Sequence, residues 1–417
     1  MPSLNDAAAL EAAVRKAVAT TTVSDIHTHL FPPSHGRMLL WGVDELLTYH
    51  YLVAELFTFA PRGLTTASFW AMPRQAQADL VWEHVFVRHG GLSEAARGVL
   101  TTLSALGLDV AGRDLAGARR WFAAQKVEDY LARVFQIANI DYAVMTNNPF
   151  IAEEAGYWKA KLPRPACLKA ALRIDTLILD WPAAAKAMRA AGYKTTATPS
   201  ASALTQARKF LAEWVGILKP VYMAASLPPE FAYPSSATSS RVLDKVVLPT
   251  AKEFGLPVAM MMGVRKKVNP ALGDGGDGVG ESDMSAVQNL LARHGDAKFI
   301  VTLLSRVNQQ ELCVLARKFG HLHVEGCWWF CNNPSIIEEM TRMRLELLGT
   351  AFTAQHSDAR VLDQLVYKWA HTRALLADVL ADKYRLLFAA GWRPTEEEVR
   401  RDVRALVGGS FEEFCRK

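Results

Sequence analysis

The stretch Val23-Ser24-Asp25-Ile26-His27-Thr28-His29-Leu30-Phe31-Pro32-Pro33 decides how the rest of the chain is interpreted. A short apolar strand leads into a His-x-His pair, and side chains at positions i and i+2 of a strand point to the same side. His27 and His29 can therefore meet one metal ion at the carboxyl end of the strand. Two prolines follow, and because proline cannot extend a hydrogen-bonded ladder, the strand gives way to a loop there. In a parallel α/β barrel, active sites are built on this face.

An alternation of apolar runs and helical segments continues along the chain. Buried parallel strands have short, continuous apolar sequences. We predict eight of them, at Val23–Thr28, Tyr142–Thr146, Leu168–Ile174, Ile217–Met223, Pro257–Met262, Phe299–Leu304, His321–Glu325 and Ala351–Gln355. Intervening helices end at glycine, as Ser239–Phe254 does at Gly255 and Pro334–Leu348 does at Gly349. Eight strand–helix repeats predict an α/β fold closed into a (β/α)8 TIM-type barrel.

The composition restricts the class of protein. The chain has 417 residues, of which 50% are hydrophobic and 21% charged, and its formal net charge is +5. Lysine and arginine are spread along the chain, so we expect no nucleic-acid partner. No apolar run reaches membrane-spanning length, so we expect no membrane partner either. Five irregularly spaced cysteines argue against a disulfide framework and for a reducing compartment, which predicts a cytoplasmic protein.

The region 39–138 interrupts the alternation, because it has helical periodicity and no good strand. Its amphipathic segments are Val43–Phe57, Met72–Arg88, Ser93–Leu106 and Leu115–Ala124. We interpret it as a helical insertion over the mouth of the barrel, either an internal lid or a subunit interface, so a homo-oligomer is compatible with it. The chain then divides into an N-terminal helix and first strand at 1–30, the insertion at 31–140, and the remaining barrel with C-terminal helices at 141–417.

A metal held by two histidines needs at least one more ligand from a distant strand. Asp358 follows the eighth predicted strand and could bind the ion opposite His27 and His29, while Arg360 could hold an anionic substrate through two N–H groups. His356 is a rival ligand on the same strand face. Asp358 could instead cap the following helix, as aspartate often does. Two histidines and one aspartate suit zinc, manganese or iron(II).

Three further motifs receive structural interpretations. The pair His321-Leu322-His323 follows a helix terminator, so it lies at the start of its strand and away from the active-site face. Cys327 and Cys331 have no partners that would complete a zinc site, so we interpret them as buried thiols. The glycine-rich loop Asn269–Gly280 lacks the Gly-Lys-Ser/Thr ending of a phosphate loop, which favours a mobile surface loop near the barrel mouth.

Six short motifs follow one another from the first strand to the last: His27-Thr28-His29, Tyr49-His50-Tyr51, Met145-Thr146-Asn147-Asn148-Pro149, Leu172-Arg173-Ile174-Asp175, Gly326-Cys327-Trp328-Trp329-Phe330 and Ser357-Asp358-Ala359-Arg360. Together they resemble the uronate isomerases, the glucuronate/galacturonate isomerase branch of the amidohydrolase superfamily. The resemblance implies a barrel of the metal-dependent hydrolase type with a helical insertion after strand one. It also implies conversion of D-glucuronate to D-fructuronate and of D-galacturonate to D-tagaturonate, commonly with zinc.

The resemblance also implies roles for individual residues. His27, His29 and Asp358 would bind one divalent metal ion, zinc before manganese or iron. A small-molecule sugar acid would be the partner. The residues expected at the substrate are Arg173, Arg360, Trp328 and Asn147, and those expected to act in catalysis are Asp358, His50 and Tyr51.

Three stretches depart from the family pattern. Met261 or Met262 stands where the family has a histidine at the end of the fifth strand. The Lys-Trp-Arg that usually follows His50-Tyr51 is Leu52-Val53-Ala54, and the Asp-Asp-Pro after the second strand is Asn147-Asn148-Pro149. Each change removes a charged or titratable group, so a carboxylated sugar has fewer anchors. The missing histidine fits a mononuclear metal site.

Three functions fit these observations. The leading hypothesis is a metal-dependent isomerase that moves a proton between C2 and C1 of an aldose-type uronic acid. The alternative is a mononuclear metal-dependent hydrolase or lactonase of the same superfamily, acting on a sugar acid derivative. The third is a catalytically silent sugar-acid-binding or assembly protein, which the loss of charged pocket groups would fit.

Overall fold

A curled parallel sheet surrounded by helices makes up the structure, a computed structural model that describes residues 4–417. Its strands are β1 (Val23–Thr28), β2 (Ile140–Asn147), β3 (Leu168–Arg173), β4 (Met223–Leu227), β5 (Val258–Met262), β6 (Val264–Arg265), β7 (Gly278–Val279), β8 (Phe299–Leu303) and β9 (Leu322–Val324). The sheet has the order β1-β2-β3-β4-β5-β8-β9, and every pairing in it is parallel. Strands β6 and β7 pair antiparallel in the loop after β5.

Helices fill the connections between the strands. Within the described residues they are α1 (Ala7–Thr20), α2 (Val43–Leu47), α3 (His50–Leu56), α4 (Thr66–Trp70), α5 (Arg74–Val81), α6 (Glu94–Ala105), α7 (Leu115–Ala123), α8 (Val127–Ala138), α9 (Ala152–Lys159), α10 (Asp175–Leu179), α11 (Trp181–Ala190), α12 (Ala201–Leu218), α13 (Thr238–Val242), α14 (Leu248–Phe254), α15 (Ser285–Arg293), α16 (Gln309–Ala316), α17 (Pro334–Leu348), α18 (Gln364–Ala389), α19 (Glu396–Arg404) and α20 (Ser410–Arg416). Among these helices, none combines the length and the apolar character needed to cross a bilayer.

The long connection between β1 and β2 is helical. Helices α2 to α8 follow one another between β1 and β2, and the predicted segment Val43–Phe57 is divided at Thr48-Tyr49 into α2 and α3. Helix α3 packs on the 3₁₀ segment Pro270–Gly276 of the glycine-rich loop. This helical connection therefore reaches the loop that follows β5, at the carboxyl ends of the strands, where a barrel carries its active site.

The prediction of the fourth strand was wrong. Ile217 belongs to α12, which extends to Leu218 because the apolar residues before it recur at helical spacing. The helix ends at Lys219 in the left-handed conformation, and Pro220 then prevents a strand from starting there. The strand is β4, whose sequence Met-Ala-Ala-Ser-Leu has no β-branched residue and is held by its two neighbours.

The eighth predicted strand, Ala351–Gln355, is not a regular strand. One isolated parallel bridge joins Thr353 to Glu325 beyond β9. Further along, the amide of Asp358 donates to the His27 carbonyl at 3.0 Å, and the amide of His29 donates to the Ala359 carbonyl at 2.7 Å. The closing segment, residues 351–360, therefore bonds first to the last strand and then to the first, with too few bonds on either side to form a ladder.

The far end of the sheet is closed by apolar packing. Phe411 and Phe414 of α20 pack with interior residues such as Ile26 and Ile300. His323 lies there too, 5.2 Å from the Phe414 ring between centroids, and its Nε2 pairs with Thr353 Oγ1 at 2.9 Å. Its position agrees with the structural role predicted for the second His-x-His pair. All five cysteines are free thiols, with Cys331 among the buried ones.

The carboxyl group of Glu325 lies in the interior and lacks a hydrogen-bond partner among the described residues. Glu325 is 1% exposed, and both of its carboxyl oxygens are unpaired within residues 4–417. Burial raises the pKa of Glu325 to about 7. The group therefore holds its proton more tightly in the folded protein than in the unfolded chain.

We expect Glu325→Gln to change how stability depends on pH. Between pH 4.5 and 7 the unfolded chain ionises Glu325 while the folded protein resists ionisation, so the wild-type free energy of unfolding falls as pH rises through this window. Glutamine cannot ionise. The free energy of unfolding of the variant, relative to that of wild type, should therefore rise by up to about 3 kcal/mol from pH 4.5 to pH 8. Urea unfolding of the chelator-treated proteins at both pH values measures the difference. The exposed Glu281→Gln is the matched control, and equal pH dependence of wild type and Glu325→Gln would contradict the expectation.

Candidate active site

Two histidines and one aspartate meet where β1 ends. Nε2 of His29 lies 3.1 Å from Oδ1 of Asp358, and Nε2 of His27 lies 3.5 Å from the same oxygen. The three ligand atoms are all within 4.8 Å of one another. His27 is fully buried, and Asp358 is 5% exposed. Strand β1 provides His27, the residue after it provides His29, and the closing segment brings the carboxylate to face both rings.

Hydroxyl groups on neighbouring elements fix the tautomer of each histidine. The Tyr222 hydroxyl donates to the Ile26 carbonyl at 2.7 Å, so its oxygen is left to accept from His27 Nδ1 at 3.3 Å. Thr146 likewise donates to the Thr28 carbonyl at 3.1 Å and accepts from His29 Nδ1 at 2.8 Å. With the proton on Nδ1 in both rings, both Nε2 lone pairs face Asp358.

This donor set fits a cation. Nε2 of His27 and Oδ1 of Asp358 are buried and lack hydrogen-bond partners among residues 4–417. Burial lowers the pKa of His29 to about 4, so its ring is neutral at physiological pH. Because neither Nε2 carries a proton, neither ring donates to Asp358, and the partner that this buried carboxylate oxygen lacks among the described residues is a cation. Two neutral nitrogen donors and one carboxylate oxygen form a site for a divalent metal such as zinc.

His356, the rival ligand, lies outside this cluster. Its ring packs edge-on against His27 with 5.0 Å between the centroids, and both of its nitrogens are buried without a partner in the part of the chain that the structure describes. Gly326 makes room for the ring, because a Cβ at that position would lie 1.8 Å from His356 Cδ2. Asp358 instead turns toward the histidines through a left-handed backbone conformation with φ of 51°.

A cavity of about 420 Å³ opens beside the cluster, within the range of small-molecule sites. Of the residues predicted at the substrate, Arg173, Arg360 and Trp328 line it. Arg173 makes a two-bond ion pair with Asp175, at 2.9 Å for each bond. Other lining residues include His29, Tyr49, His50, Thr146, Asn148, Glu154, Ser226, Lys266, Asp274, Asp277, Trp329 and Asp358.

The remaining predicted residues take different positions around the cavity. His50 lines it, and its Nε2 accepts from the Trp329 indole at 3.1 Å, while burial lowers the pKa of His50 to about 3. Tyr51 packs behind His50, with 4.5 Å between ring centroids, and its buried hydroxyl is unpaired among the described residues. Tyr49 takes the lining position beside His50. Asn147 is fully buried at the end of β2, with both amide atoms unpaired within residues 4–417.

Sequence reasoning missed several groups at this site. Tyr222 lies just before β4 in a stretch interpreted as strand interior, and no local pattern connects it to His27. Glu154 of α9 is 3% exposed, and its Oε1 accepts from the Asn148 amide at 2.8 Å and from the Trp158 indole at 3.3 Å. Burial raises the pKa of Glu154 to about 7. Glu154 is the third residue of α9 and follows another glutamate, so the sequence suggests two exposed charges in a first helical turn, and the buried one was not recognised.

The structure also shows what replaces the histidine expected on the fifth strand. Met261 points into the interior and packs with Ala224, Ala259 and Ile300, whereas Met262 joins the apolar layer outside the sheet. A thioether at this position fills space and offers only a weak ligand. The interior beside His27 therefore has no second histidine from β5.

Solved structures similar to this chain cover nearly its whole length. A uronate isomerase from Bacillus halodurans C-125 is 47% identical, with a TM-score of 0.97, and the match covers 100% of this chain and 98% of that one. A glucuronate isomerase from Caulobacter crescentus is 15% identical, with a TM-score of 0.76 over 100% of this chain and 95% of that one. A uronate isomerase from Thermotoga maritima is 15% identical, with a TM-score of 0.73 over 99% and 98%.

A fourth similar structure is more distant. A protein described as a metal-dependent hydrolase, from Lactobacillus casei ATCC 334, is 13% identical, with a TM-score of 0.53 over 97% of each chain. At this level of identity the likeness concerns the fold alone. No protein-family model matches the chain, and no curated protein matches it in sequence.

We expect Thr146→Val to weaken metal binding. The change removes the acceptor of the His29 Nδ1–H while keeping the shape of the side chain, so the ring loses the bond that fixes its tautomer. Loss of such a partner typically reduces metal affinity by about 10–100-fold. Competition with a chromophoric zinc chelator at pH 7 measures the affinity. Thr146→Ser keeps the hydroxyl and should retain wild-type affinity, and equal affinity of the valine variant would show that Thr146 does not orient the ligand.

Proposed function

This chain belongs to the uronate isomerase family, and from that premise we propose that it interconverts an aldose-type uronic acid and its ketose form. The 47% identity with the Bacillus halodurans uronate isomerase over the whole chain carries this assignment. The cavity supports it, because Arg173 and Arg360 line its wall beside the cluster of two histidines and one aspartate. D-glucuronate and D-galacturonate are the substrates we propose.

His27, His29 and Asp358 would hold one divalent ion, for which we propose zinc, with manganese or iron(II) as substitutes. A divalent ion bound there would polarise the substrate oxygens and lower the cost of charge that develops on them. The support for this ligand set is the pair of Nε2 lone pairs directed at a buried carboxylate.

The isomerisation needs a base that takes the C2 proton and an acid that returns a proton at C1, while the hydroxyl proton at O2 passes to O1. We assign the transfer between the carbons to the Asp358 carboxylate. His50 is neutral and its Nε2 is occupied by Trp329, so its Nδ1–H can serve the substrate oxygens. Tyr51 would support this exchange from behind His50, since its hydroxyl is otherwise unpaired among the described residues.

Recognition of the sugar acid would rest on the two arginines and on Trp328. Guanidinium groups bind carboxylates in a planar fork, which suits the C6 carboxylate of a uronate. Asn147 would contribute from the end of β2, where its amide has no other partner within residues 4–417. We further propose that residues 351–360 serve as the eighth member that closes the barrel. A cytoplasmic location and a homo-oligomer stay predictions.

We expect Asp358→Asn to reduce the turnover number by roughly 10²–10⁴-fold, the usual contribution of a general base. Proton NMR of metal-saturated enzyme in D2O with D-glucuronate or D-galacturonate measures both new ketose signals and loss of the C2 proton. Asp283→Asn is the control, because Asp283 lies on the surface, where its carboxylate accepts from the Ser285 amide at 2.9 Å. Near-wild-type turnover of folded Asp358→Asn would refute the role of Asp358.

The same spectra test the reaction class. A wild-type enzyme that binds metal but leaves both uronates unchanged would contradict the isomerase assignment. In that case metal-dependent opening of sugar-acid lactones would favour the hydrolase alternative.

A further inference from the structure

Each lysine or arginine that lines the cavity is already paired with a carboxylate of the chain itself. The cations would otherwise be free to bind an anionic substrate, so the way in which each pair is held decides which cation a substrate can reach. The three pairs are Arg173–Asp175, Lys266–Asp277 and Arg360–Asp274.

Two of the three carboxylates are fixed by further bonds. Asp175 is held to Arg173 by two bonds and also accepts from the Ser226 amide at 2.7 Å, and its side chain is 15% exposed. Asp277 accepts from Lys266 Nζ at 2.6 Å and from the Lys267 amide at 2.8 Å, with its side chain 3% exposed. Releasing either one would leave a backbone amide without its partner.

Asp274 is held differently. Within residues 4–417 its carboxylate hydrogen-bonds to Arg360 Nη1 and to no other group, and its side chain is 59% exposed. Arg360 is 47% exposed. An ion pair so open to water contributes little to stability, because solvent screens both charges. Asp274 is therefore the carboxylate that can leave at the lowest cost.

We propose that Asp274 occupies the place of the substrate carboxylate on Arg360, and that a uronate binds by exchanging with it. Asp274 is thus a specificity-determining residue: a ligand must offer a carboxylate that pairs with Arg360 better than Asp274 does. A neutral sugar cannot make the exchange and gains nothing from Arg360. The inference rests on the proposed function, in which Arg360 anchors the acid group.

The backbone around Asp274 is anchored independently of the ion pair. The Trp70 indole donates to the Ala271 carbonyl at 2.9 Å. Gly275 lies against the backbone of α3, where a Cβ would come within 2.8 Å of the His50 carbonyl oxygen. The segment 270–276 therefore stays in place when Asp274 leaves Arg360, and the exchange involves a side chain rather than a whole loop.

Asp274→Asn tests the exchange, because asparagine keeps the size of the side chain but loses the charge that competes for Arg360. We expect the Kd of D-gluconate, an acid with no carbonyl to isomerise, to fall about 3–10-fold in titration calorimetry of the zinc-loaded enzyme. The KM for D-glucuronate should fall in parallel. D-sorbitol, the neutral polyol, should bind equally to variant and wild type. Asp283→Asn changes the net charge equally at another exposed position and should leave gluconate affinity unchanged.

A rise in the Kd of D-gluconate in Asp274→Asn would overturn the proposal, because Asp274 would then position Arg360 for the substrate. An unchanged Kd would overturn it as well. Arg360→Met separates these outcomes from a failure of the proposed function. If Arg360 anchors the acid, Arg360→Met weakens gluconate binding and abolishes the effect of adding Asp274→Asn. If Arg360→Met leaves gluconate binding intact, the anchor itself is assigned wrongly.

Discussion

The site depends on how the first strand is joined to residues 357–359. The buried Asp25 carboxylate accepts from the Ser357 amide at 3.0 Å and from the Trp369 indole at 2.9 Å. It thus binds β1 to the closing segment and to the long helix α18 through one side chain. Hydrogen bonds to a charged group contribute about 1.5–3 kcal/mol each, which is large against the marginal stability of a folded chain. Burial raises the pKa of Asp25, and the two donors oppose that rise in part.

The position of Asp358 follows from this junction. The amides of Asp358 and His29 donate the two backbone hydrogen bonds between the closing segment and the end of β1. These bonds place the closing segment beside His27 and His29. Asp358 adopts the left-handed backbone conformation, which turns its carboxylate inward. This conformation is costly for a residue with a side chain unless its surroundings impose it. The adjacent hydroxyls come from Thr146 in β2 and from Tyr222 just before β4. The ligand geometry is therefore set by hydrogen bonds that join β1, β2 and the closing segment.

Structural features that are set by neighbouring residues could be predicted from the sequence. Features that depend on contacts between distant parts of the chain could not. The His-x-His spacing, the apolar runs of β5 and β8 and the capped helix α17 are set by neighbouring residues, so their positions follow from sequence periodicity. The closing segment could not be described correctly, because its few bonds to β9 and β1 depend on the partners and not on its own sequence. Tyr222 and Asp274 were missed for the same reason, since each acts through a residue far away in the chain.

The charges around the cavity have a consequence for recognition. Because Arg173, Lys266 and Arg360 each have a carboxylate partner, the fixed charges of the wall nearly cancel. Asp358 adds one negative charge, and the raised pKa of Glu154 leaves that group partly protonated near neutrality. Such a wall has no net attraction for an anionic sugar until one of these ion pairs separates or a divalent ion offsets the negative charge of Asp358. Selectivity for a uronate then follows from the exchange of one carboxylate for another, which neutral sugars cannot perform.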